Sequence, residues 1–198
     1  MLHPYLVPDR IEAGCDEAGR GCLAGPVVAA AVILGPHFDI RLLRDSKALS
    51  AEKRARLRIY IERNAIDWAV SSTCNEVIDN INILNASFDA MHKALDQLEV
   101  SPDMLLIDGN RFKPYRGIPH TCLVKGDANY ASIAAASILA KTYRDELMLQ
   151  YHERYPEYGW DRNKGYPTSD HRLAVEMHGE TPLHRKTFNI KARQLKFF

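Results

Sequence analysis

Four acidic residues each stand where a predicted β-strand ends; they are Asp16, Glu17, Asp108 and Asp127. In a sheet whose core strands are mostly parallel, such strand ends gather at one edge, where functional sites usually form. Four carboxylates that converge there would repel one another unless cations neutralised them. Hard oxygen ligands of this kind select Mg²⁺ or Mn²⁺. The spacing therefore predicts a carboxylate site for divalent cations.

The chemistry expected of such a site is phosphodiester hydrolysis. Two ions about 3.5–4 Å apart can contact both the attacking and the leaving oxygen of a phosphodiester. Any one of the four acids, taken alone, is better explained as a residue in a surface turn. Glycines that flank them favour a site, because glycine permits tight turns and close approach of the backbone to a ligand; these are Gly14, Gly19, Gly109 and Gly126.

The pattern of apolar residues predicts the elements that would position these acids. Strands are predicted over residues 10–15, 27–34, 67–73, 104–107 and 121–124, and helices over residues 45–64, 84–98 and 130–155. Ser50 is a candidate N-cap of the first helix, and Pro102 is expected to end the second. This order indicates a layered α/β domain with a mixed sheet. A stretch rich in Pro, Gly and Tyr, residues 155–167, is expected to lead into a short helical segment.

The composition is that of an ordinary globular protein, and its charge is unevenly distributed along the chain; solvated surface charge is the commoner explanation of such a distribution, and contact with a polyanion is the alternative. Hydrophobic residues make up 46% and charged residues 26% of the 198 residues, and no apolar run approaches the roughly 20 residues that span a bilayer. The start lacks the features of a signal peptide, so we expect a cytoplasmic protein with no membrane association. From Trp160 onward there are eight Lys and Arg against four Asp and Glu. This basic segment suits contact with nucleic acid.

Eight segments of the chain resemble the motifs of bacterial ribonuclease HII, the type 2 ribonuclease H family. In order they are DEAGRG (residues 16–21), LAGPVVAAAV (23–32), DSK (45–47), IDGN (107–110), KGDA (125–128), SIAAASILAK (132–141), KGY (164–166) and HR (184–185). They occur in the family's order and span nearly the whole chain. The departures, among them Cys22 and Pro167, touch none of the four acids.

The resemblance implies a fold and an activity. The expected fold is a ribonuclease H-like α/β domain: a five-stranded mixed sheet flanked by helices, with a small helical C-terminal lobe. Residues 1–155 would form the catalytic domain and residues 156–198 a substrate-binding lobe. The expected activity is metal-dependent hydrolysis of the RNA strand of RNA–DNA hybrids, with incision 5′ of single ribonucleotides in duplex DNA. Asp16, Glu17, Asp108 and Asp127 would be the catalytic ligands of two Mg²⁺ or Mn²⁺ ions.

The resemblance also implies how the substrate is recognised. Gly19, Arg20 and Gly21 match the family's ribonucleotide sensor, whose backbone can approach the 2′-hydroxyl that distinguishes RNA from DNA. Tyr166 matches a tyrosine that stacks on the sugar following the ribonucleotide, although a buried structural tyrosine is the alternative. Lys47 and Lys125 are candidate phosphate contacts, because a flexible ammonium suits a diffuse anion.

Other classes of protein fit the sequence less well. A phosphatase built on clustered aspartates would need a DxD motif, which is absent. A type 1 ribonuclease H would have a different order of acids and would lack the KGY segment. A non-catalytic nucleic-acid-binding module with the same fold remains the alternative; it predicts that at least one of the four acids is replaced, yet all four are present.

The end of the chain, Gln194-Leu195-Lys196-Phe197-Phe198, resembles the short peptide by which bacterial repair proteins dock on the sliding clamp. A terminal segment could insert large apolar side chains into a preformed groove while Gln194 supplies a hydrogen bond. The alternative is that Leu195, Phe197 and Phe198 fold back as a cap on the catalytic domain. The sequence leaves both interpretations open.

Overall fold

The computed structural model describes residues 2–43 and 50–189, which include a five-stranded mixed sheet. Its strands are β1 (Glu12–Ala18), β2 (Val27–Ile33), β3 (Asp67–Thr73), β4 (Met104–Asp108) and β5 (His120–Leu123). The order across the sheet is β3-β2-β1-β4-β5. β1, β4 and β5 run parallel, whereas β2 is antiparallel to both of its neighbours. The predicted fold class is confirmed.

Helices cover both faces of the sheet. The principal ones are α1 (Ala51–Asn64), α2 (Asn75–Leu95) and α3 (Ala131–Arg154). The core on one face is made with α2, and the core on the other with α1 and α3. β2 lies between the two layers and every one of its residues is buried, which explains why its sequence is an uninterrupted apolar run rather than an alternating one.

Two helix boundaries depend on particular side chains. The hydroxyl of Ser50 accepts a hydrogen bond from the backbone N–H of Lys53, so Ser50 is the N-cap of α1 as predicted. α2 is kinked at Asn82, whose φ of 66° is not helical. The side-chain oxygen of Asn82 accepts hydrogen bonds from the N–H groups of Leu84 and Asn85. Asn82 therefore caps the second half of α2.

The sequence-based boundaries differ most from the structure in β1 and α2, and α2 begins at Asn75 rather than near Leu84. β1 does not end before Asp16 but continues to Ala18, because the main chain of the strand stays paired with β2 through Ala18. α2 ends at Leu95 rather than near Pro102. None of the helices within the described ranges is long and apolar enough to cross a membrane.

The segment after α3 contains a 3₁₀ turn (Pro156–Tyr158) and the helices α4 (Trp160–Asn163) and α5 (Ser169–His178). The indole of Trp160 is fully buried in a small core with Tyr158. This core includes Ala24 from the loop after β1 and Met148 from α3. Residues 156–189 therefore pack directly on the loop that joins β1 to β2.

Gly14 allows α3 to approach β1 at a distance that a larger residue would prevent. A Cβ at position 14 would overlap the main chain of Ser132 and Ile133 in α3. We predict that Gly14→Ala lowers the free energy of unfolding by about 2–3 kcal/mol, because backbone, unlike a flexible side chain, cannot move aside locally. Denaturant unfolding measures the change.

Gly21→Ala is the matched control for that variant. No atom lies within 4 Å of a Cβ built at Gly21. The free energy of unfolding of Gly21→Ala should therefore stay within about 0.5 kcal/mol of the original protein. Equal stability of Gly14→Ala and Gly21→Ala would contradict the close packing of β1 on α3.

Candidate active site

The register of the sheet places Asp16 and Asp108 beside one another. β1 and β4 pair in parallel with Cys15 opposite Ile107, so Asp16 and Asp108 are the next opposed positions. Neighbouring strands are about 4.8 Å apart. The two acids thus lie side by side at the carboxyl ends of two parallel strands, as the sequence predicted for this edge.

Both side chains point toward α3. Side chains alternate between the two faces of a strand, and the residues two positions earlier identify the face. Gly14 lies against the main chain of α3, and Leu106 packs with Ile133 of α3. Asp16 and Asp108 therefore share the α3 face of the sheet.

Asp16 occupies an environment that disfavours its charge. The side chain is only 6% exposed, and burial, followed by the charges of Glu17 and Asp108, raises its pKa well above the usual value. A hydrogen bond from Ser137 of α3 and one from the backbone N–H of Glu17 oppose this effect. The rise shows that three of the predicted acids interact electrostatically.

Glu17 has a cationic neighbour in Arg20. Burial raises the pKa of Glu17, the guanidinium of Arg20 lowers it, and the charge of Asp108 raises it further. Nη1 of Arg20 donates a hydrogen bond to Oε1 of Glu17 at 2.9 Å. Arg20 remains half exposed, so the same guanidinium is also accessible to a substrate.

The fourth acid follows β5. Asp127 lies in the 3₁₀ turn Gly126–Ala128 and is 3% exposed. The N–H of Gly126, the residue before it, donates a hydrogen bond of 2.7 Å to Oδ1 of Asp108. This bond ties the turn that carries Asp127 to the end of β4.

The donor chemistry of these residues fits a hard divalent cation. All four side chains offer carboxylate oxygens, the ligands that Mg²⁺ and Mn²⁺ prefer. Within residues 2–43 and 50–189, no three His, Cys, Asp or Glu side chains are already arranged around a single point as a metal site. The fit consequently rests on donor type, burial and the mutual repulsion of Asp16, Glu17 and Asp108.

Residues 19–21, the GRG turn, lie directly after β1. Gly19 has a φ of +97°, and a Cβ there would overlap the side chain of Arg144, so its glycine is required by the fold itself. Gly21 is exposed and unobstructed. Of the two glycines, Gly21 is the one whose lack of a side chain leaves the backbone open to a ligand.

Residues 164–166, the tyrosine turn, lie against the loop that follows the GRG turn. The N–H of Leu23 donates a hydrogen bond of 2.8 Å to the carbonyl of Gly165. The residue Tyr166 is 42% exposed. Burial, and then the neighbouring Cys22 thiol, raise the pKa of its phenol. Tyr166 is thus anchored through its main chain and accessible at the surface, which disagrees with a fully buried structural tyrosine.

Two buried arginines hold the main chain around these turns; the sequence analysis did not single out Arg144, whereas Arg185 belongs to the HR segment. Arg144 of α3 donates to the carbonyls of Pro26, Ala24 and Lys164 at 2.8–3.1 Å. Arg185 donates to the carbonyls of Gly25 and Arg20 at 2.9–3.0 Å. A signal for Arg144 was present, because it follows Ala136 and Ala140 at helical spacing on the buried face of α3.

The remaining predicted residues are placed unequally. Lys125 is exposed, with a φ of +58°, immediately before the turn that carries Asp127. Lys47 and the segment Gln194–Phe198 lie outside the described residues. His171 and His184, two histidines of the basic segment, are fully buried, so neither side chain is available to contact phosphate directly.

Comparison with known proteins agrees with this geometry. The profile of the family described as Ribonuclease HII matches residues 13–191. A protein named Ribonuclease HII from Phocaeicola vulgatus is 63% identical over 190 residues, covering 96% of this chain and 94% of the relative.

Two solved structures resemble the fold. The ribonuclease H2 of Pyrococcus horikoshii superposes with a TM-score of 0.75 at 26% identity, covering 90% of this chain and 94% of that one. Bst-RNase HIII, solved in complex with Mn²⁺, superposes with a TM-score of 0.71 at 22% identity, covering 93% of this chain and 69% of that one. The profile match and the identity to the Phocaeicola protein together show that the chain belongs to the ribonuclease HII family, a family of metal-dependent endonucleases.

Proposed function

We propose that this chain hydrolyses the RNA strand of RNA–DNA hybrids and incises duplex DNA on the 5′ side of a single embedded ribonucleotide. The observation that carries the proposal is the position of the GRG turn. It follows directly on the strand that carries Asp16 and Glu17 and is joined through Arg144 to the turn that carries Tyr166. The GRG turn, which would recognise the sugar, is thereby held beside the acids that would act on the adjacent phosphate.

The reaction is a hydrolysis in which water attacks the phosphorus and the bond to the 3′ oxygen breaks. The leaving oxygen takes up a proton, which gives a 3′-hydroxyl end, and the phosphate stays on the 5′ end of the ribonucleotide. We propose Asp16, Glu17, Asp108 and Asp127 as the residues that would hold two Mg²⁺ or Mn²⁺ ions. Bound cations would neutralise the clustered carboxylates, activate water and stabilise charge on the leaving oxygen.

The remaining residues of the proposed site bind and orient the substrate. The exposed backbone at Gly21 can form hydrogen bonds with a 2′-hydroxyl in the minor groove. The ring of Tyr166 can stack on the following deoxyribose, where a 2′-hydroxyl would obstruct it. Lys47 and Lys125 are proposed phosphate contacts. Residues 156–198, which include the basic segment that begins at Trp160, serve as the substrate-binding lobe.

A DNA duplex that contains one ribonucleotide tests the proposal directly. We expect a nick on the 5′ side of the ribonucleotide, with 3′-hydroxyl and 5′-phosphate ends, in Mg²⁺ or Mn²⁺, and no nick after chelation. An all-DNA duplex of the same sequence is the control. Cleavage that persists in excess EDTA would overturn the metal-dependent mechanism, and cleavage of the control would overturn recognition of the ribonucleotide.

Asp16→Asn and Asp108→Asn should each lower turnover by about 10²–10³-fold, because each removes charge that holds the cations at the reacting phosphate. Hybrid binding should persist, since phosphate contacts supply most of the affinity. The melting temperature of Asp16→Asn should not fall, because the substitution removes a buried charge that its neighbours repel.

The control for these variants is Glu99→Gln, which changes an exposed acid between α2 and β4, outside the proposed site and the proposed lobe. Its turnover should match that of the original protein. Near-normal turnover in Asp16→Asn or Asp108→Asn would mean that the catalytic centre lies elsewhere.

We further propose that Gln194–Phe198 docks on a sliding clamp. Deleting residues 194–198 should abolish binding to a bacterial clamp while the melting temperature and the cleavage rate stay unchanged. Lys196→Ala, which alters the middle of the segment without removing an apolar anchor, is the control and should bind the clamp normally. Unchanged clamp binding together with a clear fall in melting temperature would instead establish the segment as a cap on the catalytic domain.

A further inference from the structure

A chain of hydrogen bonds between buried side chains ends at the main chain of Tyr166. His171 and His184 are both fully buried, and their Nε2 atoms are 3.2 Å apart. Nε1 of Trp160 lies 3.0 Å from Nε2 of His171. On the other side of the ring, Nδ1 of His171 lies 2.9 Å from the carbonyl oxygen of Tyr166.

The partners of the two rings determine where their protons are. An indole N–H can only donate, so Nε2 of His171 accepts from Trp160 and carries no proton. The backbone N–H of Thr181 donates to Nδ1 of His184 at 2.9 Å, which leaves the proton of His184 on Nε2, directed at His171. The proton of His171 is therefore on Nδ1, and it is donated to the carbonyl of Tyr166.

Both rings are neutral near pH 7 in this arrangement. Burial lowers the pKa of His171. Burial, and then the neighbouring His171, lower the pKa of His184 to about 4. A doubly protonated His171 would place an N–H group against the N–H of Trp160, so the geometry itself requires the neutral ring.

Three successive carbonyls of the tyrosine turn are fixed by three different parts of the molecule. Arg144 of α3 donates to Lys164 at 2.8 Å, and the N–H of Leu23 donates to Gly165 at 2.8 Å. His171 of α5 donates to Tyr166, whose carbonyl also accepts from the N–H of Thr168. The first two bonds fix the turn to α3 and to the loop after β1, whereas the third acts on the residue that bears the exposed ring.

We infer that His171 is a positioning residue that orients Tyr166 for recognition of the sugar after a ribonucleotide. The inference rests on the substrate contact proposed above for Tyr166. His171 is buried and touches no substrate; it acts through one hydrogen bond to the main chain of Tyr166. A tilt of that peptide would displace the ring, and small errors of position are costly where a reacting phosphate must be aligned.

Two substitutions of His171 distinguish its hydrogen bond to the carbonyl of Tyr166 from its contacts with Trp160 and His184. In His171→Asn the side-chain amide nitrogen can take the place of Nδ1 and keep the bond to Tyr166, while the contact with Trp160 and His184 is lost. In His171→Gln the longer side chain reaches the position of Nε2, and the bond to Tyr166 is lost. Both variants replace the same buried ring with an amide.

Cleavage is measured on two substrates, a DNA duplex with one ribonucleotide and a continuous RNA–DNA hybrid. His171→Gln should lower kcat on the single-ribonucleotide duplex by about tenfold or more, with little change in KM, because alignment rather than affinity is lost. Its kcat on the continuous hybrid should change much less, since that substrate presents no deoxyribose after the cleaved position. His171→Asn should retain the original ratio of the two activities.

Tyr166→Ala separates failure of this inference from failure of the proposed function. If Tyr166→Ala does not selectively lower cleavage at a single ribonucleotide, the proposed contact of Tyr166 is wrong. If Tyr166→Ala is selective but His171→Gln and His171→Asn have equal effects, or lower both activities in parallel with the melting temperature, His171 is only structural.

A measurement on the unaltered protein covers the case in which both variants fail to fold. Nitrogen-15 NMR of histidine-labelled protein reports which ring nitrogen of His171 carries the proton. We expect a protonated Nδ1 and an unprotonated Nε2 at pH 7. A proton on Nε2 would remove the bond to Tyr166 and overturn the inference.

Discussion

The arrangement of the surface proposed to bind the substrate depends on the guanidinium of Arg144. This group is buried at the junction of α3, the loop after β1 and the tyrosine turn, and donates to one carbonyl of each of three residues, Ala24, Pro26 and Lys164. A buried charge is costly unless its hydrogen bonds are satisfied. The cost is offset only while all three carbonyls stay in place, so Arg144 stabilises one relative position of the two turns and penalises others.

The catalytic edge follows the opposite principle. Asp16 and Asp108 are brought together by the register of β1 and β4, and Glu17 adds to their repulsion. Hydrogen bonds from Ser137 and from the N–H of Glu17 oppose the rise in the pKa of Asp16 but do not cancel it, so the remaining free energy must come from the sheet and from the close packing of α3 on Gly14. The repulsion within such a cluster lowers the stability of the protein, and the cations proposed to bind there would offset it, a compromise common at functional sites.

The sequence allowed prediction of the elements and the acids because both leave local signals. A short stretch of sequence is enough to recognise the apolar run of β2, the N-cap Ser50 and the acids near the strand ends. The structural role of Gly19 could not be predicted in this way, because a Cβ at position 19 would overlap the side chain of Arg144, which is distant in the sequence. The kink at Asn82 was missed because Asn in a helix is compatible with an uninterrupted helix, and only its φ identifies a cap.

The histidines illustrate the same limit from the other side. His171 and His184 lie in the basic segment that begins at Trp160. Their residue type and this position are compatible both with contact to phosphate and with burial. Their role depends on Trp160 and Thr181, which meet them only after the segment folds. A residue that acts on a substrate through its own side chain can be recognised by its type. A residue that acts through the main chain of another can be recognised only from the direction of its hydrogen bonds. The two turns proposed to bind the substrate therefore depend on buried residues whose roles only the folded structure identifies.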